Sequence, residues 1–203
     1  LNVSIIGTIF LAYSKSYTPD SFLYHLPYTN LINDYKIIPG SYLFHFRFGH
    51  VSILQYVNAF FNNLLLGING ITFVICLILS FFLVYIISEL HIILKKNKKI
   101  KFYDYFIILT FIFLCIRMNR YSDFGNDHPA TIFFFYFISI FIKNFNEFDF
   151  DTKKYLTIFS SFIFTLKIFY FVPIILCLYI WLSKVSFKIF NRSNILSIFF
   201  LSL

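Results

Sequence analysis

Long apolar runs separated by short polar segments make up most of the chain. The clearest run covers residues 71–94, where only Glu89 and His91 interrupt the apolar sequence near its end. A helix of this length crosses the hydrocarbon core of a bilayer, which is roughly 30 Å thick. Shorter apolar runs cover residues 103–116 and 129–142. The pattern predicts an all-α, polytopic integral membrane protein that resides in the cell membrane and passes through it several times.

The apolar run 155–182 is too long for one crossing. A single helix over it would be about 42 Å long, against a hydrocarbon core of about 30 Å. Lys167 lies in its middle and Pro173 follows, and a lysine at the centre of a bilayer costs roughly 3 kcal/mol. We therefore predict that the run breaks near Lys167 into two short helices, with the basic residues of 183–194 on the cytoplasmic side.

The distribution of lysine and arginine sets the predicted orientation. Five lysines occur within residues 95–101, and clusters of this kind stay in the cytoplasm. The loops 14–50 and 117–128 are then outside, and 143–154 is a cytoplasmic loop. Because the basic residues lie between apolar runs, the net charge of +8 indicates orientation in a bilayer and no nucleic acid partner. Only 13% of the residues are charged, about half of the usual fraction in soluble domains.

The loop 14–50 is the longest interval without a membrane-grade apolar run. Thr18, Pro19 and Asp20 form a typical helix start. Apolar and aromatic residues then recur at intervals of three or four, as in an amphipathic helix that lies in the membrane interface. The face begins at Asp20 and continues with Leu23, Tyr24, Pro27, Tyr28, Leu31 and Tyr35. Pro27 is expected to kink the helix, and Pro39 and Gly40 to form a turn.

Two further segments complete the prediction. Residues 51–66 are expected to form either a second interfacial helix or the start of the next span. Residues 1–13 are expected to be the end of a first membrane helix, and we expect residues 1–203 to be a single transmembrane domain, the N-terminal part of a longer protein.

Three polar clusters are predicted to meet at the outer face. The first holds Asp20, His25, Lys36 and Arg47; the second Arg117, Arg120, Asp123, Asp127 and His128; the third is Lys167. Carboxylates beside an apolar surface can act as general bases, and lysine and arginine bind phosphate. His25 beside Asp20 could help to hold a divalent cation with Asp127 and His128. No metal ligand set is assigned, because hard cations prefer oxygen-rich shells and zinc requires three or four close ligands.

Each residue also has a purely structural interpretation. Asp20 suits an acid in the first turn of a helix, where the helix dipole favours it. Asp127 suits the cap of a helix that starts at Pro129. Arg47 and Lys36 suit anchors to lipid headgroups. Lys167 is the strongest polar candidate outside the first loop, because ionisable residues inside apolar segments are usually functional.

Three motifs carry a resemblance to a known superfamily. The segment TPDSFLYHLPYTNLINDYKIIPG resembles the first outer loop of the GT-C superfamily of membrane glycosyltransferases. The motif GNDHPA before a helix and a TLK lysine before a proline-containing helix fit the same plan. The run DSFLYHLPYTNLINDYKIIPGSYLFHFRFG is similar to a poorly characterised family of bacterial multispanning membrane proteins. The resemblance follows the chain in order over most of its length.

The resemblance implies extracytoplasmic transfer of a sugar from a polyprenyl-phosphate donor to an envelope glycan or lipid. Asp20 matches the first-loop acid that is proposed to activate the acceptor, although many GT-C members have an adjacent acidic pair there. Lys167 matches a lysine near the donor phosphate, with Arg47 as a second phosphate ligand. Tyr24 and His25 would shape the acceptor side. Other site candidates are Asp127, which matches an acidic position in the second outer loop, and His128.

Two other function classes remain open. A transporter or flippase would need internal repeats and broken helices that meet at mid-membrane, and the sequence has no internal repeat. A non-catalytic membrane scaffold would use the acids only as helix caps. That hypothesis predicts that Asp20, Asp127 and Lys167 lie far apart.

Overall fold

The ordered secondary structure of this computed structural model is helical throughout the described residues, as predicted. Those residues are 5–7, 9, 19, 21–35, 39–49, 52–62, 67, 69–95, 100–117, 125 and 127–182, with the backbone alone at 21, 47, 69 and 71. The elements, in chain order, are a π-helical turn Ser21–His25, α1 (Leu26–Tyr35), two 3-10 turns (Ser41–Leu43 and Phe46–Gly49), α2 (Ile53–Phe61), α3 (Asn69–Lys95), α4 (Phe102–Arg117), α5 (Asp127–Lys143), α6 (Phe150–Leu166) and α7 (Val172–Leu182).

Helix α3 is the longest element and the centre of the bundle. Its segment Thr72–Lys95 has 24 residues, about 36 Å of helix, and is long and apolar enough to cross a membrane. It is the one such helix in the part of the chain that the structure describes. Helices α4, α5 and α6 are apolar but have 16, 17 and 17 residues. The predicted helix is therefore present and is a candidate span, and its crossing of a membrane and the multi-pass arrangement stay predictions.

Helices α3 to α7 pack as an antiparallel bundle. Helix α3 contacts both α4 and α5, and α5 to α7 continue the series in chain order. Leu79 and Ile86 of α3 are fully buried against Ile107 of α4 and Ile132 of α5. The bundle therefore has two ends. We call the end with Lys95, Phe102, Lys143 and Phe150 the lysine end, and the end with Asn69, Asp127 and Leu166 the aspartate end.

A helix is present where the interfacial helix was predicted, but its buried face is different. Tyr28, Thr29 and Ile32 are the buried residues of α1, and Tyr28 and Ile32 cluster with Ala59 of α2. Leu23 and Tyr35, which the pattern placed on this face, are 68% exposed. The π turn Ser21–His25 explains the error at Leu23, because its wider hydrogen bonding rotates the preceding residues away from the α1 face.

Proline and glycine positions agree with the prediction. The π turn gives way to α-helix immediately before Pro27, which is the irregularity expected from a residue that donates no backbone hydrogen bond. Gly40 has a left-handed backbone with φ of 79°, and its carbonyl accepts from the N–H of Leu43. The turn predicted at Pro39 and Gly40 is therefore confirmed.

Residues 51–66 contain a separate short helix, α2, rather than the start of the next span. Ser52 caps it: its side chain accepts from the N–H of Leu54, and the Gln55 side chain accepts from the N–H of Ser52. Helix α2 packs against both α1 and α3 and so joins the first loop to the bundle.

The predicted loop 143–154 is shorter than expected. Helix α6 already begins at Phe150, and Lys153 in its first turn is only 6% exposed. The sequence prediction failed here because the charged residues of 149–154 resemble a solvated loop. Asp149 instead precedes the first turn of α6, where the helix dipole stabilises a negatively charged side chain.

Candidate functional site

The apolar run 155–182 breaks at Lys167, as predicted. Helix α6 ends at Leu166, and Lys167 follows with an extended backbone (φ −158°, ψ 120°). Its N–H still bonds to the carbonyl of Ile163, which completes the last turn. Helix α7 then begins at Val172 with Pro173 as its second residue, a position in the first turn where the missing N–H costs little.

The Lys167 side chain forms an ion pair with Asp127. The lysine Nζ lies 2.5 Å from Oδ1 of the aspartate, although the residues are 40 apart in sequence. The two side chains are 32% and 71% exposed, so water or a ligand can reach the carboxylate. Asp127 is the first residue of α5 rather than the cap of a helix starting at Pro129, and its charge favours the helix N-terminus.

A second contact holds the break against α5. The hydroxyls of Thr131 and Tyr170 are 2.7 Å apart, and Thr131 also donates to the backbone carbonyl of Asp127. The N–H of Tyr170 donates to the carbonyl of Lys167. The segment between α6 and α7 is therefore held in one place, with the ammonium of Lys167 directed at the start of α5.

His25 and Gly125, which belong to the two loops predicted to lie outside, come close together beside this ion pair. A methyl group built on Gly125 would lie 3.4 Å from Nε2 of His25, so the histidine ring rests against the backbone that precedes Asp127. The rings of Tyr24 and His25 have centroids 4.2 Å apart, and the Tyr24 ring stacks on His45 at 6.1 Å. The structure therefore brings His25 close to Gly125 and places Lys167 in contact with Asp127, two residues further along.

Other predicted site residues cannot be placed in the same way. Asp20, the predicted base, lies outside the described residues, as do Lys36, Arg120 and Asp123. The backbone of Arg47 belongs to a 3-10 turn, and its side chain is not described. His128 is half-buried in the first turn of α5. Among the described residues no three His, Cys, Asp or Glu side chains come together as metal ligands, so the divalent cation stays a prediction.

The site lies at one end of the bundle. Leu166, next to Lys167, packs in one cluster with Val74 and Ala130. Val74 is close to Thr72, where the candidate span begins, and Ala130 is in the first turn of α5. Lys167 is therefore level with the end of the span rather than with its middle. The scaffold hypothesis predicts that Asp20, Asp127 and Lys167 lie far apart; Asp127 and Lys167 are in contact, whereas Asp20 lies outside the described residues.

Tyr28 lies beneath the first-loop part of the site. Its ring stacks on Phe48 with centroids 4.9 Å apart, and it is 5% exposed. Burial raises the pKa of the Tyr28 phenol, and the neighbouring Tyr56 raises it further. The phenol therefore stays protonated at neutral pH and serves to pack the loop.

Sequence patterns missed a second polar cluster, at the lysine end. Nζ of Lys143 lies 2.6 Å from Oε1 of Glu89, 54 residues away in sequence. The Tyr85 hydroxyl is 3.0 Å from the hydroxyls of both Tyr103 and Ser139. The sequence did contain a signal, because Glu89 interrupts the apolar run 71–94 and ionisable residues in such runs usually have a partner. The structure shows Glu89 to be only 7% exposed.

A family model described as a domain of unknown function, DUF8201, matches residues 1–203, and the chain therefore belongs to that family. No curated protein and no solved structure matches the chain. The family description assigns no activity.

Proposed function

We propose that this member of the DUF8201 family is a multi-pass membrane protein in which α3 to α7 lie across the bilayer. An apolar stripe on α4 supports the placement. Tyr105, Leu109, Ile112 and Ile116 recur every three or four residues, and each is between 48% and 71% exposed. Water would not favour so regular an exposed apolar face, whereas lipid chains cover it. The lysine end carries Lys95, Lys101 and Lys143. Because lysines beside membrane helices stay in the cytoplasm, we place this end on the cytoplasmic side.

We propose that the aspartate end transfers a sugar from a polyprenyl-phosphate donor to an envelope glycan or lipid acceptor. The observation that carries this proposal is the ion pair between Lys167 and Asp127 beside His25. A lysine ammonium held at the membrane surface next to an exposed carboxylate offers a place for a phosphate, because the phosphate can replace the carboxylate as its partner.

Each residue then has a role in the transfer. The Asp20 carboxylate takes the proton of the acceptor hydroxyl as its oxygen bonds to the sugar carbon. The bond from that carbon to the phosphate oxygen breaks, and the polyprenyl phosphate leaves with the electron pair. Lys167 and Arg47 stabilise the negative charge on the phosphate. Tyr24 and His25 line the acceptor side, with their rings 4.2 Å apart.

A transporter is the alternative that one observation favours. Transporters bind their substrates where helices are broken, and the chain is broken between Leu166 and Val172. Such breaks lie near the bilayer midplane in transporters. The position of Leu166 beside Val74 argues for the surface instead.

The proposal is tested with purified protein in liposomes that contain a radiolabelled polyprenyl-phosphate sugar and envelope lipid or glycan acceptors. Wild-type protein should form labelled product, and Asp20→Asn should abolish it. Asp34→Asn is the matched control, because Asp34 is an exposed acid of the same loop region that has no assigned role. The same assay with a chelator such as EDTA tests whether transfer requires a divalent cation. Retained transfer in Asp20→Asn, or export of the intact donor without transfer, would contradict the proposal.

A further inference from the structure

The lysine end contains a cavity of about 710 Å³ between α3, α4 and α5. Its wall is mostly apolar, with cationic and polar groups at intervals. The lining includes Ile92, Phe102, Phe141, Lys101, Lys143 and Glu89. A volume in this range accommodates a small ligand or a lipid headgroup with the first part of its chains.

The acidic groups of the cavity are already engaged within the protein. The Glu89 carboxylate accepts from Lys143, and its side chain is 10% exposed. The Asp104 carboxylate accepts the backbone N–H of Lys101 at 2.9 Å, so it caps the start of α4. Neither acid presents a fully accessible negative charge to the cavity.

Lys143 donates to Glu89, but an ammonium has three N–H donors and this side chain is exposed, so it can bind a further acceptor. The Lys143 side chain is 49% exposed, and its ammonium lies 5.6 Å from the centre of the Tyr103 ring. Lys101 is exposed at the start of α4. Lys101 and Lys143 therefore border a mostly apolar cavity at the lysine end of the bundle.

We infer that this cavity binds a phosphate group that carries an apolar chain, as in an anionic phospholipid of the cytoplasmic leaflet. The two lysines would hold the phosphate, and Phe102, Phe141 and Ile142 would cover the chain. Basic pockets between membrane helices on the cytoplasmic side are suited to such headgroups. The inference rests on the membrane placement proposed above, and it does not depend on sugar transfer.

The test is lipid retention by the purified protein. Protein in neutral detergent is titrated with phosphatidylglycerol or with phosphatidylcholine of the same chains, and bound lipid is counted by native mass spectrometry. Wild-type protein should prefer phosphatidylglycerol. Lys101→Gln should weaken its retention about fivefold, the effect of one lysine on an anionic headgroup. The double variant Glu89→Gln with Lys143→Gln should weaken it further without leaving a buried unpaired charge.

Controls separate the possible sources of the phosphate. Lys154→Gln removes an exposed lysine at the same end but outside the cavity, and it should leave retention unchanged. Competition by inorganic phosphate at equal concentration would identify a free phosphate compound, rather than a lipid, as the ligand of these lysines. Equal retention of the two lipids, or a Lys101→Gln variant that matches wild type, would overturn the inference. Asp20→Asn should retain lipid normally, so the outcome is separate from that of the transfer assay.

Discussion

The ammonium of Lys153 donates a hydrogen bond to the backbone carbonyl oxygen of Ile180 across 3.1 Å, 27 residues away in sequence. Lys153 lies in the first turn of α6 and Ile180 in the last turn of α7, so α7 returns to the lysine end. A break at Lys167 predicts this return. The break was also predicted to place the basic residues of 183–194 on the cytoplasmic side. Those residues lie outside the described part of the chain.

Removing the Lys153 ammonium should loosen α7 from α6. The ammonium is buried beneath Trp181, 5.5 Å from the ring centre, and it satisfies a carbonyl at the C-terminal end of α7. Lys153→Met should lower the free energy of unfolding by about 1–3 kcal/mol, the usual effect of losing a hydrogen bond to a charged group. Trp181 is the single tryptophan, so the fluorescence of the protein reports on this contact. Its emission maximum should shift to longer wavelength when α7 loosens. Lys154→Met, at an exposed position, should change neither measurement; identical spectra and stability for Lys153→Met would refute the prediction.

The ion pair between Glu89 and Lys143 should respond asymmetrically to substitution. Lys143→Met leaves the Glu89 carboxylate, 10% exposed, without its cation, and should cost about 3–5 kcal/mol of unfolding free energy. Glu89→Gln should cost less, because Lys143 is 49% exposed and can reach water. The double variant Glu89→Gln with Lys143→Met should recover much of the unfolding free energy that Lys143→Met loses, because no charge is left unpaired. Thermal unfolding followed by circular dichroism in detergent measures all four proteins; equal losses in the two single variants would contradict the burial argument.

The exposed ion pair between Asp127 and Lys167 should matter little for stability. A double-mutant cycle with Asp127→Asn and Lys167→Met should give a coupling of about 0.2–1 kcal/mol, as for other exposed pairs. In the transfer assay the two variants should change the KM for the donor in opposite directions. Lys167→Met should raise the KM for the donor, whereas Asp127→Asn should lower it about two- to fivefold, because the carboxylate no longer competes with the phosphate. A rise in KM for both variants would show that the carboxylate does not compete with the donor.

The two ends of the bundle should be on opposite sides of the membrane. Asp34 in α1 and Glu147 after α5 are both exposed, the first at the aspartate end and the second at the lysine end. Single cysteines at these positions are introduced after Cys76, Cys115 and Cys177 are replaced by alanine. A membrane-impermeant maleimide should label Asp34→Cys in intact cells and Glu147→Cys only after lysis. Labelling of both positions in intact cells would refute a bilayer-spanning bundle.

Much of the secondary structure follows from local sequence. The span within 71–94, the turn at Pro39 and Gly40 and the break near Lys167 were all predictable, because each depends on run length, backbone restriction or the cost of a charge in an apolar segment. The sequence analysis did not assign the end of the break, which the structure places at Val172, with Pro173 in the first turn of α7.

The partners of the charged residues were decided by tertiary structure. The sequence alone indicated that Glu89, Lys153 and Lys167 lie in or beside apolar helices, and burial makes such groups need partners. It predicted that Asp127 and Lys167 lie at one face, but it did not indicate Lys143 and Ile180, 54 and 27 residues away, as the partners of Glu89 and Lys153. Partner choice depends on how each helix is rotated and how deep it lies against its neighbour. Those quantities are set by side-chain packing in the whole bundle, for which the local hydrophobic pattern carries no information.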